Sequence, residues 1–506
     1  MTRGQPVRLV IVGGSDAGIS AALRARELDP TTEVTVVVAD AYPNFSVCGI
    51  PMLIGREVES WAHLAHRTRA DLEATGMRLE LDTLATGISV PDRQLHVRRT
   101  DGSAAAIGYD ALVVGTGALP LRPPVDGLDE LGPADGVHLL HSMGDTFAVL
   151  RTLEEGQAAS ALIVGAGYVG LEMAEGLTHR GLRVTQIERV PEALPTVDPE
   201  LGALVRAELA AHGVEVITGT TVRSVSRAAG DAGGRLHVEA ARGDATTVTR
   251  DVDLVLVVVG VRPDTALLVD AGARTGPGGA VVVDEGMRTG LPHVWAAGDC
   301  VLTHHRLLGP SYLPLGTTAH KQGKVAGENA LGGSARYAGS LGTQVLRVFD
   351  VVVGRTGLRE HEALRAGFAP ATTASAPDDH KAYVPGATPI ATRVTGDTGT
   401  GLLLGAQLVG RLGAEVAKRV DTFAVALFHG MAVAEMDALD LSYTPPLGSP
   451  WDAVQVAAQA WVRQHGARPG LRATPSGSIL DVEPLDLGPG NPGTKALIEM
   501  RDEDTR

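Results

Sequence analysis

Residues 160–188, SALIVGAGYVGLEMAEGLTHRGLRVTQIE, decide the fold. A short aliphatic run ends at a glycine, a helical stretch follows, and a second strand pattern closes on an acid, which reads as β-α-β. Within GAGYVG, Gly165 permits the tight turn, Gly167 lets the backbone approach a pyrophosphate, and Gly170 allows close packing of strand on helix. A phosphate bound there sits at the helix N-terminus, where free N–H groups and the helix dipole favour an anion. Glu188 ends the second strand, where a carboxylate accepts hydrogen bonds from a ribose 2′-OH. Glycine turns before helices are common, but here strand, glycines, helix and acid stand in one register, so a dinucleotide site is expected.

The same grammar opens the chain: VRLVIVG (7–13), the alanine-rich SAALRAREL, then VTVVVAD. This unit is less regular. Gly13, Gly14 and Gly18 stand in GGSDAG, with Ser15 where the middle glycine belongs. The acid expected near position 38 is Val38, and Asp40 follows two residues on, within reach of a ribose only if the strand end bends. Alone, this loop reads equally as a nucleotide site or an ordinary tight turn. Two such units form an internal repeat and imply two dinucleotides. Glycine-terminated strands at 109–117, 252–260 and 293–299 fill the intervals, and from about Gly339 the pattern becomes antiparallel strands followed by helix, with no further phosphate loop. Boundaries are expected near 118, 160, 265 and 338. Residues 466–506, rich in Gly and Pro, read as an exposed tail.

At 506 residues the chain is too long for one core, and 44% hydrophobic with 20% charged residues is ordinary globular composition. The formal charge of −15 argues against nucleic acid or an anionic membrane as partner. The most apolar stretch, Val252 to Val261, is interrupted by Asp253 and is too short to span a bilayer. The N-terminus runs into a strand without a signal-peptide pattern, so a reducing, cytoplasmic location is expected. Two cysteines, Cys48 and Cys300, cannot make a disulfide scaffold, and no metal site is expected.

Residues 7–460 resemble the pyridine nucleotide–disulfide oxidoreductase family through GGSDAG (13–18), GTGALP (115–120), GAGYVGLE (165–172), VVVGVRP (257–263) and WAAGDC (295–300). The resemblance implies an α/β fold with two Rossmann-like dinucleotide-binding domains and a C-terminal α+β dimerisation domain. FAD would occupy residues 1–118 and 266–338, with Gly13, Gly14, Ser15, Gly18, Asp40, Thr116, Gly117 and Asp299 as contacts. Asp299 matches the acid that bonds the flavin's ribityl chain; its local alternative is a helix N-cap. NADH or NADPH would occupy the inserted residues 119–265, with Gly165, Gly167, Tyr168, Gly170, Glu188 and Gly260 as contacts. Residues 339–465 would dimerise the chain.

Residues 44–51, NFSVCGIP, are similar to the family's single-cysteine branch of coenzyme A-disulfide reductases, NADH oxidases and peroxidases, and persulfide reductases. The two-cysteine branch uses a C-x4-C pair, which Pro43 and Leu53 exclude here. A lone cysteine is usually a small buried hydrophobe. The resemblance instead places Cys48 at the flavin edge, where the flavin and a helix N-terminus are expected to lower its pKa and favour thiolate. Cys300 is expected to pack. Tyr383 and Tyr443 match tyrosines that coenzyme A-disulfide reductases deliver into the partner's active site, where a phenol can protonate a leaving thiol; each reads alternatively as interface packing.

Several positions depart from the pattern. Asp16 stands where NADH oxidases and peroxidases carry a histidine near the redox cysteine, and Val47 and Asn44 replace coenzyme A-contacting residues. Arg24 and Arg26 remain candidates to meet a phosphate. The implied function is FAD-dependent NAD(P)H reduction of a small-molecule disulfide or persulfide through Cys48 in a homodimer; oxygen reduction and service to a small redox protein are the alternatives. Glu188 implies a preference for NADH, since a 2′-phosphate would meet a like charge, although Arg189 could offset that repulsion.

Overall fold

The computed structural model describes residues 6–155, 158–228, 234–243 and 246–466. The expected tail lies, from residue 467 onward, outside them.

Strand Arg8–Val12 is buried from Leu9 onward and pairs in parallel on both edges, with Glu33–Val37 and with Ala111–Val114. A strand covered on both faces needs a continuous apolar run, and LVIV supplies it. Arg78–Glu80 and Val294–Ala296 complete a five-stranded parallel sheet, Val294–Ala296 pairing with Ala111–Val114. A second five-stranded parallel sheet repeats this order: Glu215–Ile217, Arg183–Ile187, Ser160–Val164, Leu254–Val257, Val137–Leu139. Its outermost strand precedes residue 160, so the second sheet begins before that expected boundary. Leu9, Ile11, Leu162 and Ile163 are fully buried, each contributing roughly 1.5–3 kcal/mol of apolar burial.

Small residues set the close crossings that position the site. Helix Gly316–Ala330 lies directly on helix Asp16–Leu28: a Cβ at Gly323 or Gly327 would stand 2.2 Å from the Ala17 carbonyl oxygen or 2.3 Å from that of Ala21. The short helix Ile50–Ile54 likewise meets helix Tyr168–His179, where a Cβ at Gly55 would come within 2.9 Å of Gly176 Cα. Cys48 immediately precedes that short helix, so this crossing ties the cysteine to the second dinucleotide unit.

The C-terminal region is a five-stranded antiparallel sheet ordered Gln344–Val348, Val351–Gly357, Leu403–Arg411, Ala391–Asp397, Pro370–Ser375. Helices Val416–His429 and Ala453–His465 cover it, burying Phe423 and Trp461. A buried ion pair, Arg419 to Asp452 at 2.9 Å, locks the two helices together, and Arg419 also donates to the Asp379 carbonyl. Removing either charge would strand the other, at a cost of about 3–5 kcal/mol. Contacts to the second unit are specific: Arg393 pairs with Asp198 at 2.7 Å, and Phe349 stacks on His212 with ring centres 3.9 Å apart. Among the described residues no helix is long and apolar enough to cross a membrane.

Candidate active site

In each phosphate loop the first and last glycines leave no room for a side chain. Gly13 has φ +104°, and its Cβ would lie 2.1 Å from the Gly115 carbonyl oxygen; a Cβ at Gly18 would lie 2.0 Å from the Gly13 oxygen. Gly165 has φ +107°, and a Cβ at Gly170 would lie 2.2 Å from the Gly165 oxygen. The middle position differs. A Cβ at Gly167 would meet nothing within 4 Å, and both Gly167 and its counterpart Ser15 are extended N-caps making no side-chain cap bond. Open space therefore tolerates Ser15, and the first N–H groups of each helix stay available to an anion. This glycine cradle fits a pyrophosphate in both units.

The strand ends diverge. Val38 donates its N–H to the Glu80 carbonyl as Glu188 does to that of Ile217, so Val38 is the structural counterpart of Glu188. Glu188 is 8% exposed; its carboxylate accepts the Ala166 N–H at 2.7 Å and the Val190 N–H at 2.9 Å, while the adjacent Arg189 is exposed. Val38 presents only methyl groups, packed over Gly14. Asp40 is half-buried and accepts the Tyr42 N–H at 2.9 Å, closing a local turn. Thr116 donates to the Asp264 carbonyl at 2.5 Å, and Gly117 (φ +76°) accepts the Asp264 N–H. Gly260 (φ +117°) lies between strands Leu254–Val257 and Val261–Pro263 and accepts the Leu121 N–H at its carbonyl.

Acids from both units act electrostatically on Cys48. The residue is open to solvent on one side, yet crowding by the surrounding protein pushes its thiol up, and Glu172, Asp16 and Asp299 push it further. The chain's own groups therefore oppose thiolate, so the expected lowering would have to come from the flavin. Their effect is tempered because two of the acids hold protons tightly. Burial, then the nearby Glu175, raises Glu172 to about 7, and burial, then Asp16, raises Asp299 to about 6. Asp299 lies in the turn after strand Val294–Ala296 and caps no helix, which removes its N-cap alternative.

Glu172 was not singled out from sequence, although a signal existed: it follows Tyr168 by one helical turn and so shares its face. Burial raises the Tyr168 phenol above its ordinary range, Glu172 adding to the effect. Cys300 is fully buried against the carbonyls of Val114 and Ala297, a packing residue as expected, with its thiol pushed up to about 11. Arg24 and Arg26 are corrected as phosphate candidates. Arg24 pairs with Glu328 at 2.6 Å and Glu27 at 2.9 Å, and Arg26 donates to the carbonyls of Thr75, Pro30 and Thr32. Tyr383 and Tyr443 lie together on the C-terminal surface, 72% and 44% exposed, and their mutual hydrogen bond raises the Tyr383 phenol.

Two glycine-built phosphate loops, each opening a helix between parallel strands, define an oxidoreductase that works with two dinucleotides. The chain belongs to the pyridine nucleotide-disulphide oxidoreductase family, which it matches over residues 7–323, with the family's dimerisation domain matched over 344–453. It is 31% identical to an NADH oxidase of Methanocaldococcus jannaschii over 463 residues, covering 90% of this chain and 98% of the relative. It is also 31% identical to an NAD(P)H coenzyme A polysulfide/persulfide reductase of Pyrococcus horikoshii, covering 89% and 98% respectively. Among solved structures, an NAD-dependent persulfide reductase from A. fulgidus superposes with a TM-score of 0.84 at 33% identity, covering 91% of this chain and 84% of the other.

Proposed function

We propose that the chain is an FAD-dependent NAD(P)H oxidoreductase that reduces a small-molecule disulfide or persulfide through Cys48, in the manner of a coenzyme A-disulfide reductase. The observation that carries this reading is the placement of one solvent-open thiol among acids of both dinucleotide units. Bound FAD would supply the chemistry of accepting hydride from NAD(P)H and returning an electron pair to a mixed disulfide at Cys48. It is held by residues 1–118 with 266–338, through Gly13, Gly14, Ser15, Gly18, Thr116, Gly117 and Asp299. NAD(P)H is held by residues 119–265, through Gly165, Gly167, Tyr168, Gly170, Glu188 and Gly260. The Cys48 thiolate attacks one substrate sulfur, the substrate S–S bond breaks, and the leaving thiolate takes a proton. Glu172 and Asp299, with pKa values raised to about 7 and 6, are placed to hold protons near that sulfur.

Residues 339–465 form the contact of a homodimer, in which the exposed pair Tyr383 and Tyr443 reaches the partner's cysteine. Two free thiols suit a reducing compartment, hence the cytoplasm. The decisive experiment compares Cys48→Ser with the parent protein. The variant is expected to keep FAD and its reduction by NADH, yet lose disulfide turnover by several orders of magnitude, because a hydroxyl is a poor thiol exchanger. In anaerobic titration the parent should take up two NADH equivalents and develop a thiolate-to-flavin band, where flavin alone takes one. Undiminished disulfide turnover in Cys48→Ser would overturn the reading in favour of an oxidase or an electron-transfer reductase.

A further inference from the structure

Asp299 stands in a gap between two backbone anchors. On one side Ala297, just past strand Val294–Ala296, donates its N–H to the Val114 carbonyl at 3.0 Å. On the other, Val281 donates to the Cys300 carbonyl at 2.9 Å and accepts the Leu302 N–H at 2.8 Å. Gly298 and Asp299 lie between, and there a side chain takes over: the Gly298 N–H donates to Gln322 Oε1 at 2.9 Å. Of the two amide atoms only the oxygen accepts from an N–H, which fixes how the amide is turned. Its Nε2 donates to Thr303 Oγ1 at 3.0 Å, in strand Thr303–His305 just beyond the turn. Gln322 is fully buried, and an aliphatic chain of its length would fill the space without the cost of burying an amide, so the two bonds are what the amide contributes.

We propose that Gln322 is a positioning residue for FAD, which by bonding Gly298 and Thr303 fixes where Asp299 presents its carboxylate to the cofactor. The inference rests on Asp299 being a flavin contact. The backbone that carries Gln322 is itself fixed, because its neighbour Gly323 lies in the tight crossing against the Ala17 carbonyl. The turn is packed from the same side: Gly298 takes φ +86°, and a Cβ there would lie 3.0 Å from Ala17 Cβ and 3.6 Å from Ala319 Cβ. One helix, Gly316–Ala330, therefore sets both the start of the first phosphate-loop helix, through Gly323, and the acid-bearing turn, through Gln322. Without the amide the Gly298 N–H loses a buried partner, and the turn must be ordered by the cofactor as it binds.

The test measures how fast the flavin-bound protein releases FAD, followed by the fluorescence of the freed flavin. Gln322→Met keeps the length and removes both bonds, and is expected to speed release about tenfold, the worth of one buried hydrogen bond. Thr303→Val cuts only the far end of the bridge and should speed release about two- to threefold; it carries the test if Gln322→Met proves too unstable to hold flavin. If Gln322 acts through Asp299, its loss adds little once the acid is gone, so Asp299→Ala with Gln322→Met should release FAD within about twofold of Asp299→Ala alone. Visible circular dichroism of the bound flavin should change in Gln322→Met but not in Asn329→Ala, a buried amide of the same helix that bonds Gly286 and Ala335 instead. Release from Asp299→Ala at the parent rate would overturn the reading of Asp299 and the proposal with it. Faster release from Asp299→Ala beside a parent-like Gln322→Met, full additivity in the double variant, or equally fast loss from Asn329→Ala would overturn the proposal alone.

Discussion

Glu172 offers a quantitative test of how the two units are joined. Burial and Glu175 raise it from an ordinary 4.5 to about 7, while Arg347, shared with Glu57 and Glu175 at 2.8 and 3.0 Å, pulls the other way. Between those two pH values the unfolded chain releases a proton that the folded chain keeps. Folded protein then binds more protons than unfolded, so stability falls as pH rises and levels off above about 7. A displacement of this size corresponds to about 3 kcal/mol at alkaline pH, each pH unit being worth about 1.4 kcal/mol. Glu172→Gln keeps the shape and removes the charge. Its gain over the parent should be negligible near pH 4.5 and grow to about 3 kcal/mol by pH 8, or on the order of 3 °C in Tm for a chain of this length. Differential scanning calorimetry of the flavin-bound proteins at both pH values measures it. An equal Tm difference at the two pH values would refute the argument, because it would show that the carboxyl ionises as freely in the folded protein as outside it.

Glu188→Ala should narrow or invert the expected NADH preference, since repulsion of a 2′-phosphate is worth about 1–3 kcal/mol; comparing kcat/KM for NADH and NADPH decides it, and a parent preference for NADPH would assign the ribose to Arg189. Gly176→Val places a side chain where even a Cβ would lie 2.9 Å from the Pro51 carbonyl, so helix Ile50–Ile54 must shift, lowering stability by about 1–3 kcal/mol and slowing disulfide turnover with Cys48 displaced. Light scattering should give twice the 52.4 kDa chain mass at working concentration, and a fully active monomer would refute the dimer.

What could be read in the sequence was what depends on local geometry. Gly18 and Gly170 announced themselves because a Cβ there would strike the carbonyl of Gly13 or Gly165, a constraint settled within a few residues of chain, and Gly13 and Gly165 because each takes the positive φ of the tight turn. The antiparallel C-terminal region was equally legible from its alternating and then helical patterns. The electrostatics of Cys48 were not. Asp16, Glu172 and Asp299 belong to three separate segments, and only the folded sheets bring their charges to one sulfur. Arg24 and Arg26 were misread for the same reason: Glu328 and Thr75, which occupy their guanidinium groups, are distant in sequence.

The two strand ends carry the argument furthest. Spacing alone left Asp40 as the first unit's substitute for an acid at position 38. Register decides otherwise about the backbone: Val38 and Glu188 make the same N–H bond to the third strand, and Thr83 and Thr220 return the same bond to their carbonyls. The next step separates them. Glu188 turns its carboxylate onto the Ala166 N–H of the phosphate loop, so the acid braces the loop before any ribose arrives. Val38 fills the corresponding space over Gly14 with methyl groups, and Asp40, already bonded to the Tyr42 N–H, belongs to the following turn. Identical folding of the two units thus yields one loop held by a charged hydrogen bond and one held by packing, so an exchange of Glu188 should loosen its loop whereas a small apolar exchange at Val38 should not.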